Sequence, residues 1–389
     1  MSAAEGKGAH YLFFLASTHF VIHVYTMLLP VLLLPLQEEL GVSLVQLSLL
    51  ASLPRLINVF VYIPAGVFSD RRPSTVLTWS FIVTALGAVV IPLSHSFISL
   101  LAGFTLISLG STLYHPPSLR MASEYDPKRL TLAMGIHNIG SSLGFAAGPL
   151  LLGLMLEGWG WRYSFYIWAT LTAVTVVASH RYTSRNLKGA EKGRDLNLFT
   201  GLRNILTLSF ILVVAMSTLI EAAFNILVTY VPVYFTKDLG MSYSLTSIIT
   251  GLGPLTGLAG SFMGGFSGDR FGKYRVGVAV IAVTGLLIFI FPDLNLLWAV
   301  VAVYGLSRLF QAAYMPLLNG MLAANCPTEN RSLGFSFNFA MVSLFGAVST
   351  TFTGWLIENQ GTGVIFPLSL GLLVPTCLIV VILWRRAAS

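Results

Sequence analysis

Gly66-Val67-Phe68-Ser69-Asp70-Arg71-Arg72 sits between two long apolar runs, and 199 residues later a related stretch sits in the same setting: Gly265-Phe266-Ser267-Gly268-Asp269-Arg270-Phe271-Gly272-Lys273-Tyr274-Arg275. Each reads as a short charged turn between two hydrophobic helices. The register holds around them. Leu40-Gly41-Val42-Ser43 matches Leu239-Gly240-Met241-Ser242 at the same offset, while Ser17-Thr18 and Tyr114-His115-Pro116 match Ser217-Thr218 and Tyr314-Met315-Pro316 to within a residue of it. A chain of 389 residues that repeats itself near its midpoint consists of two homologous halves.

Composition sets the class. Hydrophobic residues make up 55% of the chain and charged residues 10%, with a mean hydropathy of +0.80. A soluble protein carries about a quarter charged residues, so most of this surface must face lipid. Apolar runs of roughly 20 residues are helix spans, whereas a membrane barrel would alternate in segments of about ten. The chain is an all-α polytopic membrane protein. Its net charge of +7 does not imply a nucleic-acid partner, because the charges flank the spans as an orientation signal would. Two cysteines, Cys326 and Cys377, make no disulfide framework. The apolar run after the first ten polar residues is too long for a signal-peptide core and lacks a small-residue cleavage site, so it is expected to be a retained first span.

Twelve spans are expected: about 11–36, 44–68, 74–93, 97–121, 129–156, 162–180, 204–235, 243–267, 274–291, 295–322, 331–357 and 363–384. Six fall in each half, which divides the chain into an N-terminal bundle (1–180), a polar linker rich in Lys and Arg (181–203) and a C-terminal bundle (204–389). Of the 22 Lys and Arg residues, eighteen lie in the linker or on its side of the membrane, two (Arg162 and Lys237) on the other side, and two (Arg55 and Arg308) inside spans. This asymmetry predicts that both termini and the linker are cytoplasmic, in a plasma or inner membrane.

The Gly-x-x-x-Asp-Arg turn between spans two and three, repeated between eight and nine, resembles the most recognisable motif of the major facilitator superfamily. The resemblance covers the whole chain. The second copy is nearly complete, and the first carries Pro73-Ser74 where Gly and further basic residues are usual. A narrower match runs through His19-Phe20, Leu29-Pro30, Ser111-Thr112-Leu113-Tyr114-His115-Pro116-Pro117 and the segment from Gly135 to Pro149. These resemble the fosmidomycin-resistance-type branch of drug exporters, in which an acid usually stands where this chain has His23. The resemblance implies two six-helix bundles, a substrate site near the midplane between them, and alternating access by rocking. It also implies a gating role for Gly66, Asp70, Arg71, Gly265, Asp269 and Arg270, the acids capping or pairing with neighbouring helix ends. A monomer is the default by analogy.

An ionisable group near the bilayer centre costs at least about 2.5–3.5 kcal/mol, so each one needs a reason. Five fall near mid-span: His19 and His23 in span one, Arg55 in span two, Glu221 in span seven and Arg308 in span ten. In the superfamily these are all cavity-lining spans. None has a charged counterpart in the other half: His19 aligns with Leu219, Arg55 with Pro254, Glu221 with Val21 and Arg308 with Ser108. Scaffold residues would tend to recur, whereas a substrate site has no need of symmetry.

A buried carboxyl favours its neutral form and a nearby guanidinium favours its charged form. Glu221 can therefore load a proton in one conformation and release it in the other, or serve simply to neutralise Arg55 or Arg308. Ser307-Arg308-Leu309-Phe310-Gln311 resembles the Arg-x-x-Gln motif that drug–proton antiporters carry in span four. Arg55 and Arg308 also suit a clamp on an anionic substrate, because guanidinium grips carboxylate or phosphate through parallel hydrogen bonds. Fosmidomycin is itself a phosphonate, so export and anion binding are compatible.

His19 and His23, four apart, share one helix face. Three readings stay open: proton or substrate contact, transition-metal binding with Glu221 as the one carboxylate available, and hydrogen bonding between helices. No metal site is assigned. His115 and His137 lean towards helix packing, and Gly144-x-x-x-Gly148-Pro149 offers a small-residue face for close helix approach. Asn225 and Tyr25 join the candidate site as polar neighbours. No nucleotide-binding loop, paired-carboxylate site or activated Ser or Cys is present, so neither ATP-driven transport nor an enzyme is expected, and no cofactor.

The function expected is secondary transport, with export of a small organic substrate coupled to inward proton flow. The rivals are an organic-anion importer or exchanger using the intramembrane arginines, a metal exporter, and a non-transporting receptor on the same fold.

Overall fold

The computed structural model describes residues 3–124, 130–186, 198–327 and 331–388, which are helical apart from short turns and form no strand. The N-terminal half contributes α1 (Ala3–His23), α2 (Leu28–Leu40), α3 (Leu44–Arg71), α4 (Pro73–Val90), α5 (Phe97–Glu124), α6 (Leu130–Leu156) and α7 (Trp161–Asn186). A short α8 (Leu198–Ile205) leads into α9 (Leu208–Lys237), α10 (Tyr243–Phe271), α11 (Lys273–Ile290), α12 (Leu297–Ala324), α13 (Arg331–Gln360) and α14 (Ile365–Ala388). Among the described residues ten spans are long and apolar enough to cross a membrane, with α1 and α2 together making the first; α7 and the Arg308-containing α12 complete the twelve.

The internal repeat is a repeat of backbone devices. Gly41 and Gly240 both end a span with positive φ, 63° and 65°, a conformation that L side chains resist. Two residues on, Ser43 and Ser242 each accept a hydrogen bond from a backbone N–H of the next helix, at 3.1 Å from Gln46 and 3.2 Å from Leu245. Gln46 returns the bond to the Ser43 N–H at 2.9 Å, completing a capping box. The two Asp-Arg turns differ for an equally local reason. Gly272 makes the second with φ 91°, whereas the first starts α4 with Pro73, whose missing N–H is no loss in a first helical turn.

The first span departs from the single continuous helix expected over 11–36. It breaks between His23 and Leu28. Pro30 favours the break: within a continuous helix its ring would strike the Thr26 carbonyl and leave that acceptor empty, but in the first turn of a new helix it needs no partner. The break is covered by α6. Gly140, Gly144 and Gly148 lie along α1 so closely that an added Cβ would stand 2.1, 2.5 and 2.0 Å from the carbonyl oxygens of Ala16, Phe20 and Val24. The small-residue face thus packs α6 onto its own bundle, and the last glycine meets the carbonyl at the break itself.

The bundles meet along α3 with α13 and along α6 with α10. These two contacts exchange under the internal repeat, as a pseudo-two-fold axis along the membrane normal requires. The described hydrogen bonds that cross between bundles involve Ser52, Arg55, Glu38 and Val45, together with the Pro149 and Gly153 carbonyls. All lie between the span midpoints and the end remote from the termini. That end is closed.

Candidate functional site

Two polar clusters lie within the spans. The first bridges the bundles. Arg55 on α3 donates from Nη2 to Asn225 Oδ1 on α9 at 2.8 Å, and from Nη1 to Thr350 Oγ1 and the Gly346 carbonyl on α13 at 3.2 and 3.4 Å. Asn225 is itself held by its Nδ2–H, which donates 2.8 Å to the Glu221 carbonyl one turn back. The cluster includes the Glu221 side chain, whose charged neighbours are Arg55 and Arg308. Its Oε1 is shielded and takes no hydrogen bond among the described residues. Glu221 also makes no ion pair within 4 Å, since the described ion pair is Arg162 with Glu39. Arg308 Nη1 donates to Gln311 Oε1, its neighbour three residues along α12, and its Nε is left without a partner. A small pocket of about 30 Å³ reaches Arg308 and Gln311 from inside the C-terminal bundle, walled by Phe224, Thr284, Tyr304 and Phe366.

The geometry leaves one guanidinium, Arg55, across the bundle interface and a second, Arg308, inside the C-terminal bundle, with Glu221 the charged neighbour of both and hydrogen-bonding capacity unspent on Glu221 and Arg308. Buried polar atoms are ordinarily satisfied, and each that is not calls for an explanation, of which a ligand or a proton is one.

The second cluster is an imidazole group inside the N-terminal bundle. His19 and His23 do not join Glu221 as expected; they face His115 on α5 and His137 on α6. The Nε2 atoms of His19 and His23 are 3.0 Å apart, His19 Nδ1 lies 2.8 Å from the His137 carbonyl, and the His19 and His137 rings stack with centroids at 3.8 Å. His115 Nδ1 lies 2.7 Å from the Ser111 carbonyl. His23 Nδ1 meets Thr26 Oγ1, inside the break of span one, at 3.2 Å. Histidines 19, 115 and 137 are too far apart in sequence for spacing to reveal this convergence. Tyr25, expected as a polar neighbour of the candidate site, is 2% exposed and bonds Thr172 Oγ1 on α7 at 2.7 Å, so it anchors the break within the N-terminal bundle.

The motif turns are plain in this conformation. A Cβ on Gly66 or Gly265 would make ordinary contacts, 3.9 Å to Ser336 Oγ and 4.0 Å to Pro316 Cβ. The side chains of Asp70 and Arg71 lie outside the described residues. Asp269 and Arg270 are exposed, with the Arg270 guanidinium 5.4 Å from the Phe271 ring. Among the described motif residues, Lys273 and Arg275 tie helices: Lys273 Nζ donates to the Gly320 carbonyl in the last turns of α12 at 3.1 Å, and the Arg275 guanidinium lies 5.2 Å from the Trp384 ring on α14.

Acids that escaped the sequence reading close the far end. Glu38 and Glu39 end α2, because the first span runs to Leu40. Glu38 Oε1 accepts from the Tyr243 hydroxyl across the interface, and Glu358 Oε1 from the Val45 N–H at 3.0 Å. Within the N-terminal bundle, Glu39 Oε2 accepts from Arg162 Nη1 at 3.1 Å and Trp161 Nε1 at 2.9 Å. A signal was present: Glu38 and Glu39 stand just before the Gly41–Ser43 turn, and Glu358 just before the positive-φ Gly361.

Comparisons with known proteins agree with this architecture. The family model described as the Major Facilitator Superfamily matches residues 14–305 and 222–389. The chain is 25% identical over 326 residues to the fosmidomycin resistance protein of Escherichia coli (strain K12), covering 80% of this chain and 79% of that one. It is 25% identical over 260 residues to a probable nitrate/nitrite antiporter of Thermus thermophilus, covering 63% and 58% respectively. In fold it is similar to a bacterial homologue of the human lysosomal transporter Spinster, solved inward-facing and unoccupied, with a TM-score of 0.71 at 17% identity over 98% of this chain and 95% of that one.

Proposed function

The chain belongs to the Major Facilitator Superfamily and is a secondary transporter in a membrane, not an enzyme; from that premise we propose that it exports a small organic substrate bearing an anionic group in exchange for inward-moving protons. Arg55 and Arg308 hold the anion, Glu221 carries the proton, and Asn225 and Gln311 orient the two guanidiniums. The observation that carries this reading is the span of Arg55 from one bundle to polar groups of the other, one turn from a carboxyl with no ion pair. An anion that takes those hydrogen bonds trades a bundle–bundle contact for a substrate contact, and this couples binding to rocking. Closure at the end remote from the termini makes this a state shut to the outside if, as the charge asymmetry argues, termini and linker are cytoplasmic and the membrane is the plasma membrane. Names among the relatives are compatible with both an exported drug and an anion antiporter.

The test is transport in proteoliposomes of a panel of phosphonates, small carboxylates and lipophilic cations, with and without a proton gradient. Gradient-driven movement lost in Glu221→Gln supports the reading. Anion counterflow that ignores pH, yet fails in Arg55→Ala, replaces it with anion exchange, which the absence of an ion pair on either arginine among the described residues favours as second reading.

A further inference from the structure

The imidazole cluster has a use that the central charges do not require. Each of three histidines offers a ring nitrogen, and those of His19, His23 and His115 lie within 4.8 Å of one another. Their tautomers follow from their outer partners. A backbone carbonyl only accepts, so His19 Nδ1 and His115 Nδ1 must both carry hydrogen, donating to the His137 and Ser111 carbonyls. The Nε2 atoms of both rings therefore carry the lone pairs and are the nitrogens left for the cluster. His23 Nε2, 3.0 Å from His19 Nε2, completes the set when its Nδ1–H donates to Thr26 Oγ1.

A ring held by its far N–H on a carbonyl, with its lone pair facing two others, is the arrangement of metal-ligating histidines. We propose that His19, His23 and His115 bind a divalent transition-metal ion of the imidazole-preferring group, such as Zn²⁺, Co²⁺ or Ni²⁺, through their three Nε2 atoms. Three neutral ligands leave the ion's charge uncompensated, so the fourth position, on the side of the half-buried His115, takes water, hydroxide or an anion. The ion ties span one, at its break, to span four. The Glu221 carboxylate is not needed, and the site is independent of the transport reading.

Untagged, purified full-length protein in detergent is titrated with Co²⁺ and then Zn²⁺, following Co²⁺ ligand-field absorption and bound metal by mass spectrometry. One Co²⁺ per chain, with nitrogen-rich four-coordinate absorption displaced by Zn²⁺, is the expected result. His23→Ala and His115→Ala each weaken binding by at least about tenfold, whereas Glu221→Gln leaves it unchanged. Wild-type protein that takes up neither ion overturns the proposal without recourse to any variant, leaving a hydrogen-bonded chain from Thr26 through His23 and His19. Binding that survives His23→Ala in protein with unaltered thermal unfolding overturns it equally.

Discussion

Arg55 Nη2 reaches Asn225 Oδ1 at 2.8 Å across 170 residues of sequence, from the second span of one bundle to the first of the other. Hydrogen bonds to a charged group contribute about 1.5–3 kcal/mol each. Arg55→Ala is therefore expected to lower substrate transport in proteoliposomes by an order of magnitude or more. Arg55→Lys is expected to stay impaired, since an ammonium lacks the planar fork that serves Asn225 and Thr350 together. Equal transport by wild type and Arg55→Lys would remove Arg55 from the site.

Glu221→Gln keeps the shape of the side chain and removes its proton. Accumulation driven by a proton gradient should vanish while gradient-free counterflow of the same substrate persists. Loss of both would make Glu221 a binding group; loss of neither would end its candidacy.

Gly148 tests the covered break. An added Cβ would stand 2.0 Å from the Val24 carbonyl, and neither backbone can retreat without separating α6 from α1. Gly148→Ala should destabilise the protein by about 1–3 kcal/mol, the usual cost of overpacking. Gly135 lies in the second turn of the same helix with nothing within 4 Å of its missing Cβ, so Gly135→Ala should be neutral or stabilising by up to about 1 kcal/mol. Thermal unfolding in detergent compares the two; a Gly148→Ala protein as stable as wild type would contradict the packing.

Tyr243→Phe removes a hydroxyl that joins the bundles through Glu38. Losing a contact of about 0.5–1.5 kcal/mol should shift the population severalfold towards opening at that end. Distances between spin labels at Ser96→Cys and Asn359→Cys, in a background free of Cys326 and Cys377, would report it as a longer-distance component. An unchanged distribution would mean that the remaining cross-bundle bonds, among them those of Glu358, Ser244 and Ser247, hold the closure without it.

The amino-acid sequence by itself determined the class, the span number and the two-fold repeat. Those properties are local or periodic: hydropathy over each run, a glycine that tolerates positive φ at 41 and 240, a serine cap two residues later. It also marked Arg55, Glu221 and Arg308, because a charge within an apolar run is conspicuous wherever the run folds. The break after His23 was written in Pro30, but a proline also occurs inside helices here, as Pro54 and Pro64 do in α3, so its consequence depended on what packed alongside. Only the tertiary structure decided which groups meet. It separated His19 and His23 from Glu221 and set them against His115 and His137, and it turned Tyr25 inward to Thr172. Helix rotation and crossing are set by close packing, such as Gly144 and Gly148 against α1, and that packing sums contacts between segments more than a hundred residues apart.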